Sequence, residues 1–344
     1  MRERWVRFGV LGCGSIARRA MLPALASSSR AKLVAVASRS LETATNCAAE
    51  FKCEFEVGYE NLLERSDIDA VYIALPVGLH ARWAIAAARR GKNVLCEKTL
   101  ASSLHETREI VSACQLSGVA LLEGFAYQFH PQHQAVNDVV AAGDIGEPIL
   151  FQGWLGFPPI DSPHRYDPEL GGGALLDAGT YLIHGARRFF KGEPTVLSAH
   201  LEKSNKEVEI YGSLHLSFGS GQSALAGFGF NFMYRNSYTV WGTEGMVTLS
   251  RAFSIPGDLT PTMILERQGR LEERQLCAAD QFRLEVEAFC AGLHDEKQQL
   301  EWSTDALNQA MALESVRHAD KRGRALERSA LRHRSRGQHL NQRG

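Results

Sequence analysis

The sequence predicts an α/β protein of two domains: a doubly wound parallel α/β domain, then an α+β domain built on a large, mostly antiparallel open sheet. Three observations predict it. A chain of 344 residues exceeds the roughly 150 expected of one domain. Residues 1–125 carry short apolar runs without clean alternation, separated by helical patterns, as a parallel sheet covered on both faces requires. Beyond Phe125 the runs alternate, as antiparallel strands with one buried face do.

In the first part the strands are expected at 6–11, 33–37, 70–75, 93–96 and 119–123, with crossover helices between them. In the second part Leu214, Leu216 and Phe218 alternate with polar residues, and Ala226, Phe228, Phe230 and Phe232 with small or polar ones. The intervening Gly-Ser-Gly-Gln at 219–222 has hairpin chemistry. A further run over 238–249 is broken at 243–245, and two helices are expected at 280–293 and 305–321. After Gly323 the sequence turns basic and poor in large apolar residues, so 323–344 reads as a mobile tail, with 126–322 as the second domain.

Apolar residues make up 44% and charged residues 22%, ordinary globular usage that excludes disordered, collagen-like and coiled-coil classes. Lys plus Arg number 38 against 39 acids, so no global basic field draws in nucleic acid. Residues 321–344 carry +7 against −8 for the rest, but the basic run is short and lacks interleaved aromatics. Seven cysteines with no C-x-x-C pair argue against a disulfide framework and against zinc. With no secretory pattern at the N-terminus and no apolar stretch of membrane-spanning length, a cytoplasmic protein is expected.

The first expected strand runs into Gly12-Cys13-Gly14-Ser15-Ile16-Ala17, a G-x-G-x-x-A fingerprint followed by a helical pattern. Gly12 permits the tight turn, Gly14 lets the backbone approach a pyrophosphate, and Ala17 keeps helix and strand close, while the helix N-terminus offers free N–H groups. This makes 1–125 a Rossmann dinucleotide-binding domain. NAD-binding forms usually place an acid at the end of the second strand, roughly 20 residues on, to hold the ribose 2′-hydroxyl. Here that strand ends Ser38-Arg39, with no acid before Glu42. A hydroxyl and a guanidinium suit a 2′-phosphate, so NADP(H) is expected over NAD(H); the alternative is that Arg39 is a solvated surface charge.

At this point the chain resembles the glucose-fructose oxidoreductase and inositol dehydrogenase family, Gfo/Idh/MocA. The matching stretches are 12–17, 69–76 (Asp-Ala-Val-Tyr-Ile-Ala-Leu-Pro) with His80, 91–98 (Gly-Lys-Asn-Val-Leu-Cys-Glu-Lys), 129–132 (Phe-His-Pro-Gln) and 171–181 (Gly-Gly-Gly-Ala-Leu-Leu-Asp-Ala-Gly-Thr-Tyr). Within the family the nearest likeness is to sugar 3-ketoreductases of deoxysugar pathways, which share Ser38-Arg39, the run 130–133, Arg165-Tyr166 and the stretch from 236 to 253.

The resemblance implies site residues. The family's Glu-Lys-Pro motif stands here as Glu97-Lys98-Thr99, just past the fourth expected strand, and implies that Lys98 is in the active site. An ammonium beside a nicotinamide ring can stabilise charge building on a carbonyl oxygen. Tyr181 matches the family's proton-donor position, and its phenol is expected to fall toward neutrality beside the lysine. Asp177, four residues before Tyr181, would orient Lys98 or the substrate; its alternative is a plain pair with Arg165 or Arg188. Leu75, Pro76 and His80, with Glu97, would line the cofactor cleft.

Tyr127, Arg165 and His184 are the candidate substrate contacts. The alternative for Arg165 is an ordinary loop charge, and for His184 a hydrogen-bonded core residue. His130 and His133 resemble a metal pair but have no third ligand at compatible spacing, and no metal is expected. The reading is an NADP(H)-dependent oxidoreductase that reduces a keto group of a sugar, most simply a nucleotide-linked 3-keto-deoxysugar. Family resemblance adds a homodimer or homotetramer formed through the C-terminal sheet. Alternatives are an aldose or trans-dihydrodiol dehydrogenase, and a non-catalytic NAD(P)-sensing regulator.

Overall fold

The computed structural model describes the backbone of residues 5–341 and the side chains of residues 5–326. Six strands form the first sheet: β1 (Val6–Leu11), β2 (Ala31–Ser38), β3 (Glu54–Val57), β4 (Ala70–Ile73), β5 (Asn93–Glu97) and β6 (Leu121–Gly124). All pair in parallel, in the order β3-β2-β1-β4-β5-β6. Their middle residues, among them Val10, Val36, Tyr72 and Leu95, are wholly buried, which is why these strands read as continuous apolar runs. The crossovers are α1 (Leu22–Ser27), α2 (Leu41–Phe51), α3 (Tyr59–Glu64), α4 (Val77–Ala88) and α5 (Leu104–Ser117).

The strand order reverses between β1 and β4, and a doubly wound sheet binds its ligand at such a point, beyond the carboxyl ends of its strands. β3 lies outside the expected set. It is an exposed edge strand, Glu-Phe-Glu-Val, whose alternating acids mask it in a scan for apolar runs.

The second sheet has eight strands, in the order β14-β13-β12-β11-β7-β10-β9-β8. They are β7 (Pro148–Phe157), β8 (Thr195–Lys203), β9 (Glu209–Ser217), β10 (Ser223–Phe230), β11 (Arg235–Gly242), β12 (Gly245–Leu249), β13 (Thr262–Arg267) and β14 (Arg270–Gln275). Only β7 and β10 pair in parallel, so the sheet is mostly antiparallel as expected. The β9–β10 turn takes left-handed backbone at Gly219, Ser220 and Gly221.

Helices α6 (Gln132–Ala141), α7 (Thr180–Phe190), α8 (Gln281–Gly292) and α9 (Glu296–Asn341) complete the chain. Val136 of α6, Ile183 of α7 and Val316 of α9 join Phe151, Phe228 and Val240 of the sheet's inner face in one core.

Two boundaries differ from the sequence reading. α8, assigned to the second domain, buries Val286 and Phe289 in the core of the first, with the Phe289 ring 5.9 Å from Phe8. α9 starts earlier than residue 305 and runs past 323, where Arg324 bonds Asp320 and the Leu201 carbonyl, so the expected tail begins inside a helix docked on β8. The side chains of the basic run from residue 327 onward lie outside the described residues.

Candidate active site

The dinucleotide side is built on the β1 turn. Gly12 takes φ +101°, and a Cβ there would stand 2.6 Å from the Ala74 carbonyl oxygen, so glycine is required. A Cβ on Gly14 would meet nothing within 4 Å, which leaves the open approach that a pyrophosphate needs. Gly14, Ser15 and Ile16 are exposed along this edge, and Ala17 is buried against the sheet. The Cys13 side chain turns inward, its Sγ 3.8 Å from the Ala37 carbonyl, so only its backbone faces the cleft.

At the end of β2, Ser38 Oγ accepts the Ser40 N–H at 3.2 Å, which leaves the Ser38 hydroxyl proton free to donate, and Arg39 is exposed beside it. These residues fit a dinucleotide carrying a 2′-phosphate: the loop would hold the pyrophosphate, and Ser38 and Arg39 the added charge.

Lys98 follows β5 directly. Its Nζ donates to the Asp177 carbonyl at 2.9 Å and to Asp177 Oδ1 at 3.1 Å, and lies 4.7 Å from the centroid of the Tyr181 ring. Asp177 Oδ2 accepts Arg165 Nε at 2.6 Å, so one carboxylate fixes a cation from each domain. Burial pushes the Asp177 carboxyl up, but the charges of Lys98 and Arg165 outweigh it and hold it below the usual carboxylate range.

Asp177 and Tyr181 leave the same helical segment, a π-turn over Leu175–Gly179 that runs into α7. The preceding glycines let the chain fold back over it. A Cβ on Gly172 would stand 2.6 Å from the Arg165 carbonyl oxygen, the close approach that delivers Arg165 to Asp177.

The structure therefore brings Lys98, Asp177, Tyr181 and Arg165 together where the two domains meet. Residues 6–125 match the model of the oxidoreductase family with the NAD-binding Rossmann fold, and residues 133–248 match the Gfo/Idh/MocA C-terminal domain. The chain belongs to the Gfo/Idh/MocA family.

Among relatives of this Gfo/Idh/MocA oxidoreductase, a dTDP-3,4-didehydro-2,6-dideoxy-alpha-D-glucose 3-reductase of Saccharopolyspora spinosa is 39% identical, covering 92% of this chain and 98% of its own length. A D-xylose 1-dehydrogenase (NADP(+)) of Haloferax volcanii is 34% identical over 82% of this chain and 87% of its own. Among solved structures, the 3-ketoreductase KijD10 of Actinomadura kijaniata, in complex with NADP and TDP-benzene, superposes with a TM-score of 0.88 at 36% identity, covering 92% of this chain and 98% of that one.

The remaining expected residues of this Gfo/Idh/MocA oxidoreductase divide in two. Leu75 and Pro76 stand half-buried between β4 and α4. His80 is wholly buried: its ring nitrogens lie 2.7 Å from the Leu75 carbonyl and 2.9 Å from that of Thr99, so it ties the β4 and β5 loops together rather than facing the cleft. Glu97 is also buried, bonded to the Tyr72 hydroxyl, and burial pushes its carboxyl up.

His184 and Tyr127, expected as substrate contacts, are both buried, Tyr127 with its ring 5.8 Å from that of Tyr181. His184 is 0% exposed and stacks on Phe125 at 3.9 Å. Its Nε2 faces Asp305 Oδ2 at 3.0 Å and its Nδ1 the Tyr127 hydroxyl at 2.6 Å. The Asp305 carboxylate accepts a hydrogen bond from Nε2–H, so Nδ1 accepts one from the Tyr127 hydroxyl.

The Tyr181 phenol shifts opposite to expectation. Burial drives it well above its ordinary value, and the nearby Glu97 and Asp177 carboxylates push the same way.

The sequence reading overlooked two polar ties. Thr99, noted only as a departure from the family's proline, follows a cis peptide and donates its hydroxyl to the Leu176 carbonyl at 2.8 Å, fastening the lysine loop to the Asp177 turn. Tyr72 reads as an ordinary strand aromatic, and nothing in its sequence context signals the bond to Glu97. Among the described residues no group of three or more His, Cys, Asp and Glu side chains could hold a metal ion, and no helix is long and apolar enough to cross a membrane.

Proposed function

We propose that the protein is an NADPH-dependent 3-ketoreductase that converts a dTDP-linked 3-keto-deoxysugar to its 3-hydroxy form. The observation that carries this reading is the convergence of Lys98 and Tyr181 at the carboxyl end of β5. Two further observations support it: relatives of that activity match almost end to end, and Ser38 and Arg39 suit a 2′-phosphate.

The cofactor supplies the hydride. The protein's own residues manage charge and proton. Tyr181, kept protonated by burial, donates its proton to the oxygen of the carbonyl being reduced. Lys98 has two contacts to Asp177, which leaves a third N–H to turn toward the same oxygen and offset its developing charge. Arg165, 27% exposed at the side chain and anchored by Asp177, is assigned as a contact for the substrate's phosphates.

The cell compartment we assign is the cytoplasm, in keeping with seven free cysteines. A second copy is assigned to the outer face of the second sheet, where Tyr211, Leu225, Trp154 and Trp241 stand exposed on the neighbouring strands β9, β10, β7 and β11.

The test follows NADPH oxidation with a dTDP-linked 3-keto-deoxysugar generated in place and with free ketoses, and NADP+ reduction with D-xylose and a trans-dihydrodiol. Turnover on the nucleotide sugar at least a hundredfold above the others is expected. Preference for xylose or the diol would install the dehydrogenase reading, and tight dinucleotide binding without turnover on any substrate would install the sensor.

A further inference from the structure

A second cavity, of about 590 Å³, opens between the turn Ala126–Phe129, α6, the C-terminal half of α7 and Asp305 of α9. Neither Lys98 nor Tyr181 lines it. Tyr127 is the partition: it lines the cavity and packs its ring 5.8 Å from that of Tyr181.

The charges on the cavity wall are unequal in their partners. Arg187 is taken up by Glu193 at 2.7 Å and by Asp305 at 3.0 Å, and Asp305 also holds His184. Both carboxylates are thereby engaged. Arg188 and Lys191 are exposed on the same wall, and among the described residues neither side chain has a hydrogen-bond or ion-pair partner. The charge of Arg188 nonetheless acts on Tyr127, His133 and Asp305, which line the same cavity.

The third feature is His130, 1% exposed on the cavity wall. Its Nδ1 accepts the Gln132 N–H at 3.2 Å, so in the neutral ring the proton sits on Nε2, and that buried N–H has no acceptor. Buried donors are normally paired, and an orphan one in a native fold calls for an explanation. His133 beside it is satisfied, by the Tyr238 hydroxyl and the Ala252 carbonyl.

We infer that this cavity is a second binding site, separate from the reaction cleft, for a small ligand bearing a phosphate group. Two unpaired cations supply the charge that suits a compact oxyanion better than a neutral sugar or a cation, and the orphan His130 donor belongs to the same wall. A cation at the end of α7 also complements the helix dipole, and that role alone would require no cavity and no orphan donor.

The test titrates inorganic phosphate, and separately glucose 1-phosphate, into enzyme saturated with NADP+ and dTDP so that the cleft is filled, with calorimetry or 31P line broadening as the readout. One saturable site per chain is expected for at least one probe. The probe that binds tighter tells whether the free ion or an organic phosphate is the natural form. The double variant Arg188→Gln/Lys191→Gln, changed only at exposed positions, is expected to weaken binding at least tenfold while leaving NADP+ affinity unchanged. No binding of either probe, or equal affinity in the double variant, overturns the inference without touching the reading of the cleft.

Discussion

The Lys98 ammonium lies 4.7 Å from the centre of the Tyr181 ring, and Asp177 holds it there. The cation comes from the first domain and the phenol from the second, so the pair exists only when the two are docked. A cation over an aromatic face is attracted to it in its own right, which adds to the Asp177 contacts in fixing the lysine. Because burial keeps the phenol protonated, the proposed mechanism divides the work, with Tyr181 as the acid and Lys98 as the charge that makes its proton transfer favourable.

That division predicts separable losses. Tyr181→Phe removes the donated proton and Lys98→Met the compensating charge, and each is expected to lower kcat by about 10²- to 10⁴-fold. NADPH affinity, read by quenching of protein fluorescence, should change less than threefold in Tyr181→Phe. Full turnover in either variant would remove that residue from the mechanism.

Asp177 supports two cations at once, so Asp177→Asn should do more than either cation's removal suggests. The amide keeps an acceptor but loses the charge that holds Lys98 and Arg165. A loss of up to about 3 kcal/mol in stability is expected, limited by the 21% exposure of the side chain. The carboxyl is held below its ordinary 3.8, so its contribution is fully present above that pH and is lost as the pH falls further. Thermal melts at neutral pH and at about pH 3 check both: the variant should melt lower than wild type at neutral pH, and the gap should close in acid.

Cofactor choice is predicted to rest on Arg39. Arg39→Ala should raise KM for NADPH by about tenfold to a hundredfold, the value of a charge-assisted contact to phosphate, and leave KM for NADH within twofold. Equal rises for both cofactors would mean that Arg39 braces the adenosine rather than reading the 2′-phosphate.

How much of this was legible in the sequence depended on whether a signal was local. The β1 turn was readable because Gly12 and Gly14 follow an apolar run at once, and the lysine and tyrosine were readable through the motifs around them. The side-chain environments were not. Tyr181 reads as a phenol beside a cation, yet its protonation is decided by Phe125 and Phe253 closing over it from distant segments. His184 lies on the same helical stripe as Tyr181, and only the packing of Phe125 and Asp305 shows that it faces inward. β3 escaped because an edge strand carries charges where a buried one carries apolar residues, and the start of α9 because its first turns are polar.

The exposed apolar face of the second sheet predicts an association that a single charge should undo. Trp241 is 52% exposed on that face near the end of β11, next to the strand that carries Trp154. Trp241→Glu would place an unpaired charge in a buried interface, which costs several kcal/mol. Light scattering should give a dimer or tetramer for the wild type and monomer for the variant at micromolar concentration. A wild type that is monomeric at all concentrations would leave that face without the assigned partner.

A last prediction concerns Glu123, on β6 below the lysine loop. Its Oε1 accepts the Leu100 N–H at 2.9 Å, and burial pushes the carboxyl from 4.5 up to about 8. Across that interval the folded chain keeps a proton that the unfolded chain gives up. The stability contributed is therefore fully present below about pH 4.5 and is lost as the pH rises toward 8. Glu123→Gln keeps an acceptor for Leu100 and never ionises, so its melting temperature should fall less between about pH 5 and 8, with the variant the more stable form at the upper end. Parallel curves for the two proteins would show that Glu123 stays charged in the fold, paired by something other than Leu100.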